Sequence, residues 1–127
     1  EDIWQRITAI HPVSDHEKVA FLASFWAREE IVTKGGLLGE ECIEEPEIAW
    51  RAILKVLAYD LTEEQEALIA AGPMEDLLVH HGENFVDRVE REALKNPRFN
   101  HLLGGVWRQG MPDDIWDRIV RARKEVW

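Results

Sequence analysis

The sequence predicts a single all-α domain over residues 1–127, built from seven or eight short helices stacked as an irregular bundle or a short α-solenoid. Three observations predict this class. Helix-capping signatures recur along the chain, apolar residues repeat at helical spacing, and no segment shows the apolar–polar alternation of a half-buried strand. Because 46% of the 127 residues are apolar, the chain can bury one core.

The first two helices are marked by their starting residues. Ser14-Asp15-His16-Glu17 has the form of a capping box, which predicts a helix over about 15–32. Glycines and glutamates dominate residues 34–45, so this stretch is predicted to be a long loop. Pro46 suits a first helical turn, and the apolar positions after it predict a helix over about 46–59.

The later helices are delimited by a second capping box, glycines and prolines. Thr62-Glu63-Glu64-Gln65 opens a short helix that Gly72 is expected to end, and Gly72-Pro73 predicts a sharp corner between two helices. Gly82 is expected to end the next helix. The final helix is predicted over about 112–126.

Two five-residue strings suggest a helical repeat. Residues 85–89, Phe-Val-Asp-Arg-Val, and residues 115–119, Ile-Trp-Asp-Arg-Ile, match in pattern 30 positions apart. Repeats of this length made of helix pairs stack into solenoids. The pattern is compatible with either a short solenoid or an irregular bundle.

A series of motifs in the second half of the chain resembles a known pattern. The motifs are Gly-Pro-Met-Glu-Asp-Leu-Leu at 72–78, His-Gly at 81–82, Asp-Arg-Val-Glu at 87–90, Gly-Gly-Val-Trp at 104–107 and Gly-Met at 110–111. In this order they resemble a bacterial family of unknown function, over about residues 20–120. The resemblance implies no activity.

Charge is distributed unevenly along the chain. The formal net charge is −10, and residues 1–87 hold 6 basic and 19 acidic side chains whereas residues 88–127 hold 9 and 6. Direct binding of nucleic acid is disfavoured, because phosphate contacts need a positive surface. The acidic surplus instead favours a protein partner with a basic surface.

The leading functional hypothesis is a non-enzymatic protein-interaction domain, for example an immunity- or antitoxin-like inhibitor of a basic partner. The acidic residues expected to meet that partner are Glu40, Glu41, Glu44, Glu45 and Glu47. Trp107 lies two residues after Gly104-Gly105 and before Arg108, and it is expected either in the core or lining a partner groove. A scaffold module of a larger bacterial system is a further alternative. No cofactor is predicted.

A small metal-dependent hydrolase is the alternative from another class. Its site would use Asp76, His80, His81 and Glu83, the densest group of potential ligands in the chain. However, a helical zinc pair places its histidines four residues apart, whereas adjacent histidines point about 100° apart on a helix. We therefore predict no metal site and no catalytic residues.

The cellular address is predicted from what the sequence lacks. No apolar run approaches the roughly 20 residues that span a bilayer, and the start has neither the basic nor the apolar region of a signal peptide. The single Cys42 excludes an internal disulfide and agrees with a reducing compartment. We therefore expect a cytoplasmic protein that does not bind membranes.

Overall fold

The computed structural model describes residues 14–28 and 44–127, and the regular structure of these residues is helical throughout. The six α-helices are α1 (Asp15–Trp26), α2 (Pro46–Val56), α3 (Glu63–Ile69), α4 (Glu75–Lys95), α5 (Pro97–Leu103) and α6 (Asp113–Ala122), with a π-helical segment (Ala70–Met74) between α3 and α4. The all-α prediction is confirmed for this part of the chain. The choice between solenoid and bundle stays a prediction.

The predicted count of seven or eight helices is not borne out, because α3, the π-helical segment and α4 follow one another with no loop between them. The described residues therefore form five continuous helical segments. Gly72 and Pro73, predicted to form a sharp corner, lie inside the π-helical segment. A proline has no N–H to donate and its ring crowds the carbonyl four residues earlier, and the wider π turn accommodates both features.

Gly82 was also predicted to end a helix, and it too lies inside α4. A Cβ at Gly82 would come within 2.9 Å of a side-chain carbon of Ile115, so the glycine permits close packing of α6 against α4. The neighbouring His81 has non-helical backbone angles, φ −133° and ψ 18°, which mark a kink. The predicted interruption is therefore present as a kink immediately before Gly82, and the missing side chain of Gly82 also allows close helix packing.

Helix starts were predicted more accurately than helix ends. Ser14 caps α1 by accepting the N–H of Glu17 at 3.2 Å, and Thr62 with Gln65 forms the predicted reciprocal capping box. In contrast, α1 ends at Trp26 rather than near 32, and α2 ends at Val56 rather than near 59. The last helix, predicted to reach 126, ends at Ala122.

The buried apolar side chains of the described residues form one cluster. Helix α1 packs against α2, and α4 packs against both α5 and α6. Trp50 of α2 lies near its centre, with its ring 5.5 Å from that of Phe99 in an edge-on arrangement and 5.9 Å from that of Phe85. Each aromatic pair adds about 0.5–1.5 kcal/mol beyond the burial of its surface.

Asn100 is a buried polar residue that connects three parts of the fold. Its side-chain N–H groups donate to the carbonyls of Ala93 and Ala122, both at 3.1 Å, and its oxygen accepts the backbone N–H of Lys124 at 2.9 Å. This one carboxamide therefore ties the ends of α4 and α6 and the segment that follows α6.

Over the described ranges, no helix has both the length and the apolarity needed to cross a membrane.

Candidate functional site

The loop after α5 presents one large aromatic side chain to solvent. Trp107 is 67% exposed, although Val106 before it and Met111 at the end of the loop are each only 2% exposed. Within the loop, the N–H of Met111 donates to the carbonyl of Arg108 at 3.0 Å, and Gln109 adopts a positive φ of 49°. We refer to residues 106–111 as the Trp107 loop.

Glu75, in the first turn of α4, holds the Trp107 loop from its buried side. The residue is 4% exposed, and its Oε2 accepts the backbone N–H of Trp107 at 2.8 Å. Burial raises the pKa of Glu75 above 4.5, and hydrogen bonds from the Trp107 N–H and the Gln109 side chain oppose part of that rise. A buried acceptor therefore holds the backbone of the residue whose side chain points outward.

Two arginine side chains make further contacts that hold the Trp107 loop. Arg123 donates to the carbonyl of Val106 at 3.1 Å, and Arg108 donates to the carbonyl of Met111 at 3.4 Å while pairing with Asp113. The Trp107 loop is thus fastened at both ends by buried apolar side chains and by hydrogen bonds. The backbone of Trp107 therefore has a defined position.

The structure gives the glutamates predicted to bind a partner different environments. Glu44 is exposed. Glu45 pairs with Lys18 at 2.8 Å, and Glu47 accepts two hydrogen bonds from the Arg88 guanidinium at 2.5 and 2.6 Å. Glu40 and Glu41 lie outside the described residues. The described members of this set are therefore partly engaged within the chain.

The pair of Glu47 and Arg88 is supported by aromatic rings. The Arg88 guanidinium lies 4.9 Å from the ring centre of Phe85 and 5.5 Å from that of Trp50. The hydrogen bonds that Arg88 donates hold the pKa of Glu47 below 4.5. The arginine that pairs with Glu47 is thus itself positioned by two aromatic rings.

The residues of the alternative hydrolase site are not brought together as metal ligands. His80 is exposed and its Nδ1 lies 3.0 Å from the backbone carbonyl of Asp76, whereas Glu83 is exposed and His81 is half-buried. Asp87, close to this group in sequence, pairs with Arg118 of α6. Among the residues that the structure describes, no three His, Cys, Asp or Glu side chains are grouped so as to hold a metal ion.

The chain was compared with family models, with curated proteins and with solved structures. A model described as a family of unknown function (DUF6869) matches residues 15–126, which confirms the resemblance to a family of unknown function. No curated protein matches the chain. No solved structure matches it either.

Proposed function

We propose a protein-binding function for this chain, which belongs to the DUF6869 family of unknown function. The contact surface includes the Trp107 loop, and the partner is a protein with a basic surface. The observation that carries this proposal is the pairing of an exposed indole with a loop backbone held by the buried Glu75.

An exposed indole on a fixed loop has the properties of an interface anchor. Tryptophan is among the residues that most often dominate binding energy at interfaces, because it buries a large apolar area and its N–H can find a partner. A loop that is already ordered loses little conformational entropy on binding. Trp107 satisfies both conditions, with 67% of its surface available for burial.

The charge of the chain specifies the kind of partner. The net charge of −10 attracts a basic protein surface, which mainly speeds encounter and disfavours acidic competitors. Glu44, exposed beside α2, can contribute directly. Glu45 and Glu47 would have to exchange Lys18 and Arg88 for groups of the partner, so we assign them a smaller contribution.

An inhibitor of immunity or antitoxin type is a narrower form of this proposal. In that form the basic partner is a toxic effector, and binding of the acidic chain blocks it. Co-expression of the chain with the toxic partner tests this narrower form. We expect the wild-type chain to restore the growth that the partner inhibits, and Trp107→Ala not to restore it. Growth inhibition that neither chain relieves contradicts the inhibitor role without contradicting binding.

The binding proposal is tested with Trp107→Ala and a matched control, Leu94→Ala. Leu94 is also a large exposed apolar residue, 89% accessible, but it lies on α4 outside the Trp107 loop. Proteins captured from the native host by the wild-type chain are identified, purified and titrated against all three chains. We expect Trp107→Ala to weaken binding by about 2 kcal/mol or more, roughly 30-fold, and Leu94→Ala to leave it unchanged.

Salt dependence tests the charge of the partner separately. Affinity for the wild-type chain is expected to fall as ionic strength rises, and Glu44→Lys is expected to slow association. Glu44 is the suitable site for charge reversal, since none of its contacts within the described residues is a hydrogen bond or ion pair. Equal affinities for all variants at every ionic strength would contradict the proposal.

A further inference from the structure

A second aromatic site lies at a cavity between the start of α3 and the segment that follows α6. The cavity has a volume of about 330 Å³ and is lined by Glu63, Glu66, His101 and Trp127. That volume is within the range of cavities that bind small ligands or single side chains. None of these four residues belongs to the Trp107 loop.

The aromatic part of the cavity wall is held in place by several contacts. Trp127 donates its backbone N–H to the carbonyl of Gly104 at 3.0 Å and its indole N–H to the carbonyl of His101 at 2.8 Å. The His101 ring lies 5.0 Å from the indole. A Cβ on Gly105 would come within 2.6 Å of the indole ring, so only glycine allows this approach.

Glu63 and Glu66 add negative charge to the wall, and within residues 14–28 and 44–127 no cation pairs with either carboxylate. Glu63 and Glu66 are three residues apart on α3, and no ion pair or hydrogen bond engages either carboxylate within the described residues. By contrast, the nearby Glu125 pairs with His101 at 2.5 Å. The cavity therefore combines two carboxylates that are open to a ligand with an aromatic surface.

We propose that this cavity binds a guanidinium group. A guanidinium is planar and cationic, stacks on aromatic rings and donates several hydrogen bonds to carboxylates in a fixed geometry. When the guanidinium is an arginine side chain of a protein, the site rests on the proposed binding function and adds arginine as the recognised residue. When it belongs to a free compound, the site stands independently of Trp107.

The test uses the whole chain and follows the indole N–H resonance of Trp127 by NMR. The probes are methylguanidinium, its neutral analogue methylurea, and a short blocked peptide with one arginine. We expect methylguanidinium to shift the Trp127 resonance in a saturable way and methylurea not to. Glu63→Gln with Glu66→Gln is expected to weaken the response about tenfold or more, because two charge-assisted contacts are lost.

Glu64→Gln is the matched control, since Glu64 lies on the same helix but does not line the cavity. It is expected to bind methylguanidinium like the wild type, and Trp107→Ala is expected to do the same. Tighter binding of the peptide than of methylguanidinium assigns the site to an arginine side chain, and the reverse assigns it to a free compound. No response of Trp127, an equal response to methylurea, or equal loss in Glu64→Gln overturns the proposal.

When Trp107→Ala abolishes partner binding but leaves the guanidinium response intact, both proposals hold. A guanidinium response without any effect of Trp107→Ala on the partner contradicts the proposed function alone. Loss of the partner in Trp107→Ala without any guanidinium response contradicts the cavity proposal alone.

Discussion

The glutamates at the start of α2 and the glutamate beneath the Trp107 loop have different roles. The former pair with cationic side chains near the surface, whereas the latter is buried and accepts a backbone N–H. Near α2, Glu45 and Glu47 are prominent in the sequence, but the structure pairs them with Lys18 and Arg88. In the Trp107 loop, one buried carboxylate, Glu75, organises the backbone and an indole is exposed. The comparison shows that a glutamate predicted from the sequence to bind a partner can instead form an ion pair within the chain.

The largest effect is expected outside both regions, at the buried Asn100 that joins α4, α6 and the segment after α6. Asn100→Ala removes three hydrogen bonds, of which the one to the Ala93 carbonyl is buried and the two to Ala122 and Lys124 are partly buried. We expect the free energy of unfolding to fall by about 3 kcal/mol. Urea denaturation measures this loss.

Asn96→Ala is the matched control for Asn100→Ala. Asn96 caps α5 by accepting the N–H of Phe99 at 3.2 Å, and loss of such a cap costs about 1 kcal/mol. Equal losses in the two variants would show that Asn100 has no special role in joining α4, α6 and the following segment.

A somewhat smaller effect is expected at Glu75. Glu75→Ala removes the acceptor of the Trp107 N–H and is expected to lower the free energy of unfolding by about 2 kcal/mol. Glu75→Gln keeps an oxygen that can accept this N–H and is expected to lose less. Thermal or urea unfolding of both variants gives the comparison.

The pH dependence of Glu75 has a defined sign. Its pKa is raised in the folded chain, so the folded state binds the proton more tightly than the unfolded state. The stability associated with this proton is complete below about pH 4.5 and is lost as pH rises through the folded pKa. The stability of Glu75→Gln relative to the wild type should therefore increase between about pH 4 and pH 7. A difference that decreases over this range contradicts the raised pKa.

A substitution at Gly105, against which the Trp127 indole packs, is expected to have an intermediate effect on the free energy of unfolding. Gly105→Ala places a Cβ against the indole and is expected to destabilise the chain by about 1–2 kcal/mol by displacing Trp127. In Gly105→Ala with Trp127→Ala, the clash no longer exists, so the two effects should not add. Additive losses in a double-mutant cycle measured by urea denaturation would indicate that the two residues do not interact.

The smallest effects are expected for the glutamates near α2. Glu47→Gln weakens an exposed ion pair and is expected to lower the free energy of unfolding by only about 0.2–1 kcal/mol. Because Arg88 holds the pKa of Glu47 below 4.5, this contribution is present at neutral pH and is lost as pH falls through the folded pKa. Glu44→Gln is the control and should change stability by less than about 0.5 kcal/mol. Urea denaturation at pH 7 and pH 3 checks both, and a larger loss for Glu44→Gln would reverse the assignment.

Local signals in the sequence predicted the helical class and the helix starts. Side-chain caps depend on residues three positions apart, so Ser14 and Thr62 could be identified without the fold. Helix ends depended on tertiary packing. At Gly82 the local pattern indicated the interruption now seen as a kink at His81, but it could not reveal that Ile115 of α6 packs against the glycine.

The candidate sites were only partly predictable for the same reason. Trp107 was singled out from its position shortly after Gly104-Gly105, although the sequence did not distinguish core from surface. Glu75 entered the sequence analysis only as part of the motif at 72–78, because its contact with Trp107 lies 32 residues away in sequence. One signal was present, since Glu75 shares a helical face with the buried Leu78 and Gly82. The cation partners of Glu45 and Glu47 were set by long-range packing that spacing does not reveal.

Hydrogen exchange at the backbone amide of Trp107 tests most directly whether a buried carboxylate fixes the loop that presents the indole. In the wild-type chain the Trp107 amide is expected to exchange slowly even though its side chain is exposed, because Glu75 accepts its hydrogen bond. In Glu75→Ala, exchange at this amide should accelerate by about tenfold or more relative to amides in the middle of α4. Exchange at the rate of an unstructured peptide in the wild-type chain, or equal protection in both chains, would contradict this account.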